Sequence, residues 1–239
     1  VQQFEKLLSK FVKSKFAVAV NSGTAALQAS LYSIDIKPGD EVLVPSFTFV
    51  ATANSVKSVG AKPVFVDILK SNYTMDPSDL KKKITRRTKA IIPVHLYGHM
   101  AYMDEILEIA KKKHIKIIED ASQSLGSKLS SKHSGTFSHL GCFSMYAGKV
   151  ITSGEGGAVV TNDKKLFEKL KQIRNHGLAK NNLTTTLGLN FRLSEIGAAI
   201  AKIQMKKLPR LLSERKKNAQ ILTELLKKDD IVLPVQRKN

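Results

Sequence analysis

Phe4, Leu7, Leu8, Phe11 and Val12 recur at the three- and four-residue spacing of one helix face, with Glu5, Lys6 and Lys10 between them. Residues 2–13 are therefore predicted to form an amphipathic helix. The apolar run at 16–20 is too short for a second helix and reads as a buried strand, ending in Asn21-Ser-Gly-Thr24 before a small-residue helix at 25–31. The alternation then repeats, with strand 42–44, helix 49–59, strand 63–66, a helix from about 78, strand 90–95, helix 103–113 and strand 115–118. Short apolar strands alternating with amphipathic helices predict an α/β fold, a mainly parallel sheet with helices on both faces. Such sheets bind ligands where their strands end.

After residue 135 the rhythm changes. A strand is predicted at 141–145, a Gly-rich stretch at 154–157 and another strand at 158–161, close enough to pair antiparallel. Helices follow at 164–174 and 194–228, with Pro209 expected to kink or divide the second. Neither a tandem repeat nor a low-complexity linker interrupts the chain.

At 239 residues, with 42% hydrophobic positions, the chain is long enough for one large domain or one and a half, and too apolar to be disordered. Its 39 Lys and Arg against 20 Asp and Glu leave +19, a balance that suits nucleic acid, an anionic membrane or an anionic substrate alike. The basic runs at 81–83, 86–87 and 111–113 lack interleaved aromatics for base stacking and read as solvated helix ends, so a nucleic-acid module rests on net charge alone. The last 39 residues hold 11 Lys or Arg and 4 Asp or Glu, +7 in all, as a surface helix or an interaction arm would. A single cysteine, Cys142, excludes an intrachain disulfide and a cysteine-rich zinc site and fits a reducing compartment. No apolar run approaches the roughly 18 residues of a membrane span, and the N-terminal helix lacks a signal-peptide core. The expectation is a soluble, cytoplasmic protein without membrane, nucleic-acid or metal partners.

Three segments offer chemistry. Asn21-Ser-Gly-Thr24 follows a buried strand and opens a helix, so its backbone N–H groups and the Thr24 hydroxyl are placed to hold a phosphate; an ordinary cap by Ser22 or Thr24 is the alternative. Neither GxGxxG nor a Walker A sequence is present. In Glu119-Asp-Ala-Ser-Gln123 an acid stands at the end of an apolar strand, where it can hold a proton on a heterocyclic nitrogen or simply cap a helix. Lys149 lies between apparent strands rather than on a charged helix face; partial burial there would favour its neutral, nucleophilic amine. Together a phosphate turn, a strand-end acid and a lysine meet the needs of pyridoxal phosphate.

At this point the residues resemble a known family. Asn21-Ser-Gly-Thr-Ala-Ala-Leu27, Gly39-Asp-Glu-Val-Leu-Val-Pro-Ser-Phe-Thr-Phe-Val-Ala-Thr52, Val94-His-Leu-Tyr-Gly98, Glu119-Asp-Ala-Ser-Gln123, Gly154-Glu-Gly-Gly157 and Gly188-Leu-Asn-Phe-Arg192 resemble, in order, the DegT/StrS-type nucleotide-sugar aminotransferases, fold-type-I pyridoxal phosphate enzymes. The resemblance runs from about residue 4 to residue 230. It implies an aspartate-aminotransferase-like large domain at 1–208 that binds the cofactor, and at 209–239 the helical start of a small C-terminal domain that is mostly absent. It further implies that Lys149 forms the Schiff base and shuttles a proton, that Asp120 pairs with the pyridinium nitrogen, that Gln123 meets the phenolic oxygen and that Phe49 stacks on the ring. Thr24, the backbone of Ala25, and Ser144 would hold the phosphate. Asn190 would reach the neighbouring subunit's phosphate site, which implies a homodimer with shared active sites; the part played by Arg192 stays open.

The implied reaction is transamination of a keto group on a nucleotide-linked sugar, with an amino acid, glutamate by resemblance, as donor. Sugar dehydratases of the same fold carry histidine in place of the lysine, whereas Lys149 stands here. Gly148 departs from the larger residue that often precedes the lysine in relatives, and Val150 follows it. The rival reading is a truncated, catalytically inactive or regulatory descendant that keeps only cofactor binding.

Overall fold

The computed structural model describes residues 1–179, 182–227 and Leu233. Seven strands form one sheet, β1 (Phe16–Val20), β2 (Glu41–Pro45), β3 (Lys62–Val66), β4 (Thr88–Ile91), β5 (Lys116–Asp120), β8 (Leu140–Ser144) and β9 (Gly157–Thr161), in the order β1-β9-β8-β5-β4-β2-β3. Every pairing from β8 to β3 is parallel, and β9 alone runs against both its neighbours, β8 and β1. The antiparallel pairing expected for the two late strands is thus present.

Side-chain alternation assigns the helices to their faces. In β2, Val42 and Val44 join a core cluster on one face while Leu43 joins another on the opposite face, and all three are fully buried. The first face is covered by α2 (Gly23–Ser33), α3 (Ala51–Ser58) and α6 (Lys164–Arg174). On the second lie α1 (Gln2–Val12) and α7 (Glu195–Leu226), with α4 (Pro77–Lys83) and α5 (Met103–Lys112) toward the β3 end. Burial on both faces explains why the strands read as continuous apolar runs. Helix α1 follows its predicted stripe, with Phe4, Leu8 and Val12 buried, and ends where Lys13 turns left-handed and Ser14 N–H reaches the Ser9 carbonyl. Among the described residues no helix is long and apolar enough to cross a membrane.

Two expectations change. The strand predicted to reach His95 ends at Ile91, because Pro93 has no N–H for the ladder. Its carbonyl still accepts from Asp120 N–H at 2.9 Å, so the segment stays beside β5. Helix α7 is not divided at Pro209; Ala198, Ala201, Met205 and Leu208 pack it onto the core, which compensates for the missing N–H. The predicted helix end at Lys228 lies outside the described residues. The basic runs at 81–83, 86–87 and 111–113 are exposed, as expected.

A short hairpin, β6 (Lys128–Leu129) and β7 (Lys132–His133), turns through Ser130 and Ser131, both at positive φ. His133 is buried against the Phe11 ring, with centroids 5.1 Å apart. Burial first, then the charges of Lys128 and Lys13, push its pKa down from 6.5 to about 4. The native state therefore holds a neutral ring where the unfolded chain binds a proton, so this contribution to stability is present above pH 6.5 and is lost as pH falls toward 4. Comparing melting temperatures between pH 7 and pH 4, His133→Asn is expected to lose less stability with acid than the parent. Equal losses would rule the ring out as an acid-sensitive element.

Candidate functional site

Strands β1, β2, β5 and β8 all point their C-terminal ends toward one crevice, where a cavity of about 350 Å³ opens. At one side of it α2 begins. Ser22 is its N-cap, with extended backbone, and its Oγ accepts from Ala25 N–H at 3.0 Å, while its carbonyl accepts from Ala26 N–H. The amides of Gly23 and Thr24 remain without a helical partner and face the cavity with the positive end of the helix dipole. Glycine is required at 23 by a close approach: a Cβ there would lie 2.7 Å from Ser144 Cβ and 3.1 Å from its Oγ, with Ser122 Oγ at 3.4 Å. Two first-turn amides and the hydroxyls of Thr24, Ser122 and Ser144 thus gather into a seat for an anion.

Across the cavity stands Asp120, 5% exposed at the end of β5. Its Oδ2 accepts from Thr52 Oγ1 at 2.9 Å and its Oδ1 from Ser122 N–H at 3.1 Å. The strand end is held from behind by Glu119, whose side chain points to the other face of the sheet. Glu119 accepts from the N–H groups of Gly135, Phe137 and Ser138 at 2.7 to 2.8 Å, from Ser138 Oγ at 2.9 Å and from His95 Nε2 at 2.9 Å. Ala101 N–H donates to His95 Nδ1 at 3.1 Å, so the proton of the ring sits on Nε2 and the pair is a hydrogen bond from a neutral imidazole.

Lys149 lies on the segment joining β8 to β9, half-buried, with its side chain on the cavity and no ion-pair or hydrogen-bond partner for Nζ among the described residues. Backbone bonds hold its loop: Met145 N–H to the Gly156 carbonyl at 2.8 Å, Ser153 N–H to Met145 at 2.9 Å and Lys149 N–H to Tyr146 at 3.0 Å. Gln123 Oε1 accepts from Tyr97 N–H at 3.0 Å, which turns its NH₂ group away as a donor. Phe49, 67% exposed, forms part of the cavity mouth.

Of the residues expected from sequence, Thr24, Phe49, Asp120, Gln123, Ser144 and Lys149 line this one cavity. Ala25 is buried behind it, and its amide is taken by Ser22, so it is the Gly23 and Thr24 amides that face the anion seat. Asn190 lies elsewhere, exposed on a larger cavity of about 760 Å³ that it shares with Arg192 and the Glu5–Arg174 ion pair. That cavity is the bigger of the two, but most of its charges are paired with each other, Arg174 with Glu5, Lys171 with Glu168 and the N-terminal amine with Glu195, while Arg192 donates to the neutral Asn175 amide. Sequence reasoning missed Thr48, Thr52, Ser122, Tyr146 and Glu155, all but Thr52 lining the smaller cavity. The two threonines stand four apart within the quoted segment 39–52, a helical spacing that would have put them on one face.

An anion seat, a buried carboxylate held by two donors, an uncommitted amine and an exposed ring around one cavity fit pyridoxal phosphate as a resident group. A sequence profile of the DegT/DnrJ/EryC1/StrS aminotransferase family matches residues 1–239. The chain is 40% identical over 223 residues to a GDP-perosamine synthase of Escherichia coli O157:H7, covering 92% of this chain and 61% of that protein. It is 44% identical over 201 residues to a UDP-2-acetamido-2-deoxy-3-oxo-D-glucuronate aminotransferase of Pseudomonas aeruginosa, covering 84% and 56%. The crystal structure of S. venezuelae DesV in complex with a ketimine intermediate matches with a TM-score of 0.96 at 39% identity, over 99% of this chain and 64% of that one. The chain thus spans between 56% and 64% of the length of these relatives.

Proposed function

The chain belongs to the DegT/DnrJ/EryC1/StrS aminotransferase family, and on that footing we propose that it serves pyridoxal phosphate-dependent transamination of a keto group on a nucleotide-linked sugar, with an amino acid, glutamate, as donor. The observation that carries this reading is the pairing, in one cavity, of a buried carboxylate fixed by two donors with a lysine amine that has no other partner among the described residues. Bound pyridoxal phosphate supplies a reactive aldehyde and a ring that withdraws electrons from the neighbouring carbon.

The chain's own groups divide the remaining work. Lys149 Nζ is the nucleophile that holds the cofactor and, once released, the base that moves a proton. Asp120 keeps a proton on the ring nitrogen. The Gly23 and Thr24 amides, with the hydroxyls of Thr24 and Ser144, hold the phosphate; Gln123 donates to the phenolic oxygen, and Phe49 covers one face of the ring. The net charge of +19 suits a substrate bearing a diphosphate. Because Asn190 is exposed and absent from this cavity, its place in the reading is in the site of a second copy, as a homodimer with shared active sites. A cytoplasmic location belongs to the same reading.

The test is to incubate the purified chain with pyridoxal phosphate, reduce it with borohydride and map the modified peptide by mass. Label confined to Lys149, in a particle of twice the 26.3 kDa chain mass by light scattering, is the expected result. Label scattered over exposed lysines would overturn the cofactor site, and a single-chain mass would remove the part given to Asn190. Label on Lys149 without any amino-group transfer from glutamate would favour a descendant that only binds the cofactor.

A further inference from the structure

We propose that Thr52 is a positioning residue that fixes the Asp120 carboxylate for its ring-nitrogen contact and does so through a hydroxyl chain that begins at the cavity wall. The inference rests on the cofactor reading above and adds to it how the acid is held. Thr52 is 1% exposed, in the first turn of α3, and its Oγ1 lies 2.9 Å from Asp120 Oδ2. An ionised carboxylate only accepts, so the single hydroxyl hydrogen of Thr52 goes to Asp120. Thr48 Oγ1, 3.1 Å from Thr52 Oγ1, must then be the donor in that contact, and Thr48 lines the cavity. The direction Thr48 to Thr52 to Asp120 is therefore fixed by hydrogen count.

The opposite oxygen of Asp120 is held by Ser122 N–H at 3.1 Å, from the turn that follows β5. Donors from two separate elements thus set the plane of the carboxylate, which neither could do alone. The same turn of α3 also ties the acid to the stacking residue, because Thr52 N–H bonds the Phe49 carbonyl at 3.1 Å. The ring cover and the orientation of the acid are in this way products of one helical turn. Charge-assisted hydrogen bonds of this kind are about twice as strong as neutral ones, so loss of the hydroxyl releases the acid from one of its two constraints.

Thr52→Val keeps the shape and β-branching and removes only the hydroxyl; Thr52→Ser keeps the hydroxyl. Both are to be titrated with pyridoxal phosphate by fluorescence, and the ¹⁵N resonance of bound, ¹⁵N-labelled cofactor followed against pH. Thr52→Val is expected to bind the cofactor on the order of tenfold more weakly. Its ring nitrogen should lose its proton at lower pH than in the parent, while Thr52→Ser matches the parent in both. Should Thr52→Val fail to fold, Thr52→Ala gives the same comparison with a smaller side chain. A valine variant with parental affinity and ¹⁵N titration, or a serine variant as impaired as the valine one, overturns the assignment while leaving the cofactor site standing. A parent chain that takes up no cofactor overturns the functional reading and this inference with it.

Discussion

Lys149→Ala is expected to melt within about two degrees of the parent and to take up no borohydride label at all. The first half follows from the loop: the bonds that hold it run between backbone groups of Met145, Gly156, Ser153 and Tyr146, none of which the substitution touches. The lysine itself is half-buried and its amine bonds nothing described, so truncation stays within about 0.5 kcal/mol. The second half follows from chemistry. With the amine gone, the cavity loses the one lysine among the described residues that line it, and with it the base that would move a proton there; general-base catalysis alone is worth about 10²- to 10⁴-fold. Transfer of the amino group from glutamate, read from the cofactor's absorbance, should fall by at least about 10³-fold. Lys149→Arg should be equally inert, since a guanidinium stays charged throughout the usable pH range. Persistent label in the alanine variant would send the Schiff-base assignment to another lysine.

Glu119→Ala is expected to be the most destabilising substitution near the site although the side chain lies on the opposite face of the sheet. Its two oxygens collect five donors, and the residue is fully buried. Removing them strands three backbone amides and an imidazole N–H, while the Ser138 hydroxyl keeps the Leu140 carbonyl at 3.3 Å as an acceptor; each unpaired buried donor costs about 1 to 3 kcal/mol before relaxation. A net loss of about 3 to 5 kcal/mol is a large part of the roughly 5 to 15 kcal/mol that holds a domain of this kind together. At about 2 to 4 °C per kcal/mol for a chain of this size, the melting temperature should drop by about 10 °C. Glu119→Gln should lie between, since its NH₂ group must face donors whichever way it is turned. An alanine variant that melts within two or three degrees of the parent would show that the donors find other partners.

The parts of the fold that depend on periodicity were legible in the residues. Strand Phe16–Val20 and helix Lys164–Arg174 fall where the apolar spacing puts them, because burial on one or both faces is what that spacing encodes. The hairpin at 128–133 was not foreseen: its turn is Ser130-Ser131, and serine lacks the left-handed preference by which Asn-Gly or Asp-Gly turns announce themselves. In the site, the residues that bear on a ligand directly stood out by type, as Lys149 and Asp120 did. Those that act on other residues did not. Thr52 and His95 each serve a carboxylate far away in sequence, and nothing local to Thr52 points to Asp120 or local to His95 to Glu119. Asn190 was named from resemblance alone; it is exposed on a different cavity, and its carbonyl accepts from Asn21 Nδ2 at 3.2 Å, at the start of the turn that carries the anion seat.

The sheet closes in an order that its sequence numbering conceals. Among the named strands β1 has a single neighbour, β9, with Phe16 opposite Thr161, while Val20 at its end also bridges Arg192. The turn that follows β1 carries the anion seat, and Gly157 at the start of β9 packs so tightly on the Ser22 carbonyl that a side chain there would collide with it. A chain emerging from the ribosome can therefore lay down the β2-β3-β4-β5 block early, while its first strand waits unpaired for a segment made far later, at the entropic expense of a long loop. On the proposed reading, capture of a phosphate at this seat would report that β1 and β9 have paired, and a bound cofactor would stabilise the longest-range strand pairing of the described sheet.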